Sequence, residues 1–321
     1  MQKKNIELVD KLQQTLKCKR SSCRTYASVI KRVAKQFGKG YNSDMKWSHD
    51  KTILPKIKKF DTTLNVKRNL VNAMLNSLKL HENDTLYKQY SAYLVELNKE
   101  VDEFAKSGKL TDKQQKNYLS YDKIIKLRRL IGRKVRLAQA YKREKVTAQT
   151  HKLITQWIVL NLYTLLPPVR LSWATVSFHN EKGIGNARQQ LGNYLAIRRG
   201  NWRVYWNDHK SSKKHGTVEV DIPKNLERVL RPYIRYLKKH FPDNASLLLN
   251  SRFEPMSKPS LSLFLQSLFY SHFRKRIGSQ AIRRIFLSHK YRNQDKERAE
   301  VARKMLHDES TQRLFYVKDS K

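Results

Sequence analysis

Five positions in the second half of the chain carry side chains suited to one kind of chemistry, transfer of a phosphodiester bond to a protein hydroxyl. They are Arg170, one of Lys210 or Lys214, Arg283, His307 and Tyr316. Cutting a strand this way needs a nucleophile, cationic donors for the charge on the transition state, and an acid for the departing oxygen. A tyrosine supplies a nucleophile whose phosphate ester conserves the bond for rejoining. Two arginines supply planar paired donors for the non-bridging oxygens, a geometry lysine cannot match. Lysine and histidine suit acid, base and hydrogen-bonding roles. His307 stands nine residues before Tyr316 in the stretch Met305 to Tyr316.

The elements that must hold these residues read as mainly helical, an α+β chain. In the first third, apolar residues recur at three and four, as in Leu8, Leu12, Leu16 and then Tyr26, Val29, Ile30, Val33, the period of amphipathic helices. Further helices are expected over Leu64–Leu80 and from about Asp84 to Ser107. The polar stretch Ser107–Lys113 reads as a connection, and the domains are drawn at 1–118 and 119–321. Helices resume over Tyr121–Val146, where Lys and Arg far outnumber Asp122 and Glu144, and over His151–Leu166. Pro167-Pro168 cannot continue a helix, so Arg170 is expected on a turn. Between Tyr194 and Ile222 the period changes to two, and Tyr194–Ile197, Trp202–Trp206 and Thr217–Ile222 read as a small antiparallel sheet. The helical period then returns to the end.

The formal charge is +40, from 67 Lys and Arg against 27 Asp and Glu. Such an excess argues for a polyanionic partner. The longest apolar run, Leu153–Leu166, is too short and too polar to span a bilayer. Met1–Ile6 lacks the apolar segment of a secretory leader, so a soluble, intracellular protein is expected. Cys18 and Cys23, without nearby histidines, are expected as free thiols in a reducing compartment. No carboxylate pair stands near the set, and neither metal nor cofactor is expected.

The segment around His307 and Tyr316 resembles the terminal box of tyrosine recombinases, the integrase family, where a histidine precedes the nucleophilic tyrosine by the same interval. Leu165-Leu166-Pro167-Pro168-Val169-Arg170 resembles that family's first arginine box, in a form similar to recombinases of large DNA viruses and virophages. Ser172 and Trp173 stand where the family usually has an acidic residue. Ile282-Arg283-Arg284-Ile285-Phe286 resembles the second arginine box, with Gln280 where the family has His or Lys; the His289-x-x-Arg292 match is set aside as too close to His307. Counting from Tyr205 and Trp206 selects Lys210 as the hairpin lysine, and counting back from Gly216 and Pro223 selects Lys214, with Lys213 between. Lys210 is favoured as the residue ending the first strand of the hairpin. Arg24-Thr25-Tyr26 and Asn65–Asn69 look like parts of the family's helical core-binding domain, and Gln114-x-x-Asn117-Tyr118 resembles an element preceding the catalytic domain in the viral group.

The resemblance implies a site-specific DNA recombinase that cleaves and rejoins double-stranded DNA through a 3′-phosphotyrosine, self-associating on DNA as a dimer to tetramer. Tyr316 would be the nucleophile. Two alternatives stay open, a type IB topoisomerase-like enzyme and a catalytically inactive basic DNA-binding relative.

Overall fold

A computed structural model describes residues 2–37, 46–80, 84–107, 109–180, 192–209, 212 and 216–304, with side chains for the same residues except 2–5, 46, 106 and 292–304. The chain is mainly helical with one small four-stranded sheet. It forms two compact units, Met1–Leu110 and Thr111–Lys321.

In the first unit, α1 (Gln2–Leu16), α2 (Arg20–Gln36), α3 (Ile53–Lys59), α4 (Leu64–Lys79) and α5 (Asp84–Lys106) enclose a core of Leu12, Ile30, Ile53, Ile57, Leu70, Met74, Leu78 and Tyr90. These are the apolar positions that recur at helical spacing, and burying them is the main force holding short helices together. Between α1 and α2 the backbone at Lys17 turns into the left-handed region, φ 47°. That turn brings Cys18 to within 6.6 Å of Cys23, Cα to Cα, and the two are joined as a disulfide. The expectation of free thiols is corrected here. Composition and compartment carried no information on a turn that sets the cysteines at bridging distance.

The second unit begins eight residues earlier than the expected boundary, with α6 (Asp112–Lys116). Thr111 and Gln114 close a reciprocal capping box at its start. The unit continues with α7 (Tyr121–Leu137), α8 (Ala148–Leu162), a 3₁₀ turn (Ser172–Thr175) and the strands β1 (Ser177–Asn180), β2 (Tyr194–Ile197), β3 (Arg203–Trp206) and β4 (Val218–Asp221). The helices α9 (Lys224–His240), α10 (Lys258–Phe273) and α11 (Ser279–Lys304) follow.

The strand order is β1-β2-β3-β4. The β2–β3 and β3–β4 pairs are antiparallel, as expected, with Tyr194 opposite Tyr205 and Arg203 opposite Asp221. The expectation of a purely antiparallel sheet is corrected by β1, which pairs in parallel with β2, Ser177 opposite Tyr194. Only Phe178 of that strand is buried, too little alternation to register in the sequence. Its other edge is held by Ser246, with Phe178 N–H donating to the Ala245 carbonyl at 2.8 Å. The core of this unit is rich in aromatics, among them Tyr163, Trp173, Tyr233 and Phe269.

Candidate active site

Arg170 sits on the loop that leaves α8. Its side chain is exposed, whereas Pro168 and Trp173 on either side of it are buried. The buried Tyr163 hydroxyl donates to the Arg170 carbonyl. Trp173 packs edge-on against Trp206 of β3, ring centroids 4.8 Å apart. The loop's backbone is thereby pinned from helix and sheet, while the guanidinium is exposed and makes no hydrogen bond to another described residue. With Ser172 and the buried Trp173, no carboxylate stands at the two positions where the resemblance calls for one.

Arg283 lies in the second turn of α11, half-buried, between the buried Ile282 and Ile285 that fasten the helix to the core. Its Nη1 donates to Gln280 Oε1 at 3.1 Å. Gln280 therefore acts as an acceptor that orients one edge of the arginine, a task within the reach of an amide. The residues just before α11 are held as well. Arg276 N–H donates to Asn117 Oδ1 and Lys275 Nζ to the Lys116 carbonyl, both at 2.8 Å. The Gln114-x-x-Asn117 element thus caps its own short helix with the first residue and anchors the approach to Arg283 with the last.

One tyrosine ties the two arginine-bearing segments together. The Tyr121 hydroxyl donates to the carbonyl of Thr164, on the Arg170 loop, at 3.0 Å. Its ring meets Phe286 of α11 edge-on at 5.7 Å and lies over His289 at 4.8 Å. Beside it, Arg128 Nη1 donates to Thr164 Oγ1 at 2.9 Å. Burial pushes the Tyr121 hydroxyl up from its usual pKa, against the pull of Arg128. Burial likewise lowers the Arg128 guanidinium, with Tyr121 opposing and Arg129 adding to the shift. Tyr121, Arg128 and Thr164 were not singled out from the sequence. The usable signal was Tyr121 opening a helix at the same turn as the Asn117 element.

The β3–β4 hairpin is fixed at its base. The buried Asn193 accepts from Asp208 N–H at 2.9 Å and donates to the Asp208 carbonyl at 3.0 Å. Asp208 also pairs with Lys258 at 3.2 Å. β3 ends at Trp206, so Lys210 does not end the first strand, and the reason for favouring it over Lys214 is withdrawn. Strand pairing stops where Trp206 meets Val218. Lys210, Lys213, Lys214, His307 and Tyr316 lie outside the described residues. Of the proposed set, the structure places Arg170, Gln280 and Arg283.

No protein-family model matches the chain, and no curated protein matches it.

Among the described residues, no group of three His, Cys, Asp or Glu side chains could hold a metal ion, and no helix is long and apolar enough to cross a membrane. Two arginines stand on separately anchored segments that share one tyrosine, suited to gripping an anionic group such as a phosphate.

Proposed function

We propose that the chain is a DNA strand-transfer enzyme of the tyrosine-recombinase type, in which Tyr316 attacks a phosphodiester, forms a 3′-phosphotyrosine and releases a 5′ hydroxyl. Attack by the 5′ hydroxyl of a second strand then restores the phosphodiester and frees the tyrosine. Arg170 and Arg283 would hold the non-bridging oxygens, with His307 assisting and Lys210 or Lys214 protonating the departing oxygen. The observation that carries the reading is the tie through Tyr121, by which the Arg170 loop and the Arg283 helix are referred to a single half-buried side chain. Catalysis by paired donors depends on relative placement, and a misfit of about 1 Å can cost on the order of 100-fold. The charge of +40 supplies the affinity for a polyanion, and the reading implies double-stranded DNA as partner, with copies associating on it.

The decisive variant is Tyr316→Phe. On a nicked suicide duplex the wild type is expected to accumulate a covalent protein–DNA adduct and the variant none, with DNA affinity nearly unchanged because one hydroxyl adds nothing to charge-driven binding. An adduct retained by the variant moves the nucleophile elsewhere. A second reading, a DNA-binding relative without strand transfer, is favoured by the burial of Trp173 where a carboxylate would stand. Absence of an adduct from the wild type itself would select it.

A further inference from the structure

The exposed face of α7 carries Arg129, Arg133 and Arg136, a spacing of four and then three residues. That spacing lines them up along one side of the helix, about 6 Å and then 4.5 Å apart in rise. They form one rim of a groove of about 910 Å³. Its floor is apolar, made by Trp157 of α8 with Val229 and Pro232 of α9, and Arg228 stands on the α9 side. The floor is seated deeply because Gly132 lets the Trp157 ring lie against the α7 backbone; a Cβ there would stand 2.6 Å from the ring. Beyond the arginine row, Leu137 is 85% exposed. None of the three arginines forms an ion pair with another described residue, and no carboxylate stands among the described residues that line the groove.

A chain so poor in acids nonetheless concentrates them on α5. Glu96, Glu100 and Glu103 repeat the same four-then-three spacing and are all exposed. They too lack an ion pair with any described residue. Val95, 69% exposed, and Phe104, 39% exposed, flank the row. Like charges at these spacings repel along each helix, an arrangement relieved when the two rows face each other.

We propose that the groove beside α7 receives the acidic face of α5 from a second copy of this chain, the three carboxylates meeting the three arginines and the flanking Val95 and Phe104 covering apolar surface. Matched repeats fix the register, and apolar flanks on both helices make the contact more than a surface ion pair, which alone is worth little. Both halves reside on every copy, so two copies can exchange the contact reciprocally or pass it on from copy to copy. A nucleic acid backbone would satisfy the arginines but leave Trp157, Val229, Pro232 and Leu137 without a use. The inference stands apart from strand transfer, because association is measured without DNA.

The test is sedimentation equilibrium at about 0.15 M ionic strength, where a Debye length of about 8 Å screens the long-range repulsion of +40 chains more than pairs in contact. The wild type is expected to associate reversibly. Reversing the arginines together (Arg129→Glu, Arg133→Glu, Arg136→Glu) or the carboxylates together (Glu96→Arg, Glu100→Arg, Glu103→Arg) should weaken self-association by at least about tenfold, since like charges then face each other. The arginine reversal lowers net charge, so general repulsion alone would give the opposite result. An equimolar mixture of the two reversed proteins should associate again, because each then offers what the other lacks, and this recovery also shows that both remain folded. A wild type that stays monomeric at every concentration overturns the proposal. So does a mixture that fails to recover, as it would if the two rows met within one chain. If carboxylate reversal has no effect while arginine reversal weakens duplex DNA binding, the groove is a nucleic-acid surface and the proposal fails.

Discussion

The two units bury tyrosine for different ends. In the first, Tyr90 is fully buried, yet its hydroxyl makes no hydrogen bond among the described residues. Its value there is volume and apolar area between helices. In the second unit, buried tyrosines reach for loop carbonyls: Tyr163 for Arg170, Tyr233 for Leu247 at 2.7 Å, and the half-buried Tyr121 for Thr164. A helix satisfies its own backbone, so a helical module needs only a well-filled interior. A loop does not, and at three places the second unit aims a phenol at one, although the buried Tyr141 hydroxyl of the same unit has no partner among the described residues. The first unit is built to be stable, the second to be stable in one geometry.

The largest break is expected at Trp173. Its indole N–H has no partner among the described residues, so its contribution is packing against Trp206 beneath the Arg170 loop. Trp173→Ala should cost about 3 to 5 kcal/mol by urea unfolding and abolish strand cleavage. A loss below about 1 kcal/mol would mean the loop is held by something other than this wedge.

A finer cut removes one oxygen. Tyr163→Phe should cost about 1 kcal/mol and reduce cleavage while leaving DNA affinity unchanged, since the Arg170 carbonyl loses its donor but no charge is altered. The matched change in the first unit, Tyr90→Phe, should be neutral within about 0.5 kcal/mol or slightly stabilising, because an unbonded hydroxyl leaves a buried site. Equal costs for the two changes, measured by the same denaturant titration, would erase the distinction between the units.

This division also explains what could be read in advance. The long helices of the first unit were legible because Leu8, Leu12, Ile30 and their neighbours recur at one period, whereas α3, seven residues with a proline among them, is too short to show one. The Arg170 turn was legible through Pro167-Pro168, although α8, expected to run to Leu166, already ends at Leu162. Pairings between a side chain and a distant carbonyl leave no periodic trace, so the bonds from Tyr121 to Thr164 and from Asn117 to Arg276 were invisible, although Asn117 itself stood out by resemblance. The parallel β1 was missed because one buried Phe178 cannot set a period. The ground for favouring Lys210, that it ends the first hairpin strand, fails because pairing stops at Trp206 and the buried Asn193 already holds the departing chain through Asp208.

The smallest expected effect is on acid stability, and it belongs to the second unit. His151 is buried within the aromatic cluster of Tyr236, Phe241 and Phe253. Its Nε2 faces the Leu249 carbonyl at 3.2 Å, with Thr155 Oγ1 at 3.4 Å, and Nδ1 faces the Tyr236 hydroxyl at 3.0 Å. The neutral ring satisfies this arrangement by donating from Nε2 to Leu249 and accepting at Nδ1. Burial lowers its pKa, only partly offset by the bond to Leu249. Burial lowers His179 too, and His240 and His272 shift the same way by burial with Lys239 and Lys134 nearby. Each folded pKa thus lies below the unfolded value of about 6.5. The unfolded chain takes up more protons as pH falls through that value, so stability present above it is lost below it. Four of the five tryptophans, at 157, 173, 202 and 206, lie in this unit, so tryptophan fluorescence reports its unfolding. The fluorescence melting temperature should fall between about pH 7.5 and 5.5, the range over which histidines change charge. Most of that drop should persist at about 1 M salt, where a Debye length of about 3 Å suppresses repulsion between surface charges without undoing the cost of burying a charged ring. A melting temperature that rises on acidification, or a drop that salt removes, would show that surface charge and not the buried imidazole sets the acid limit.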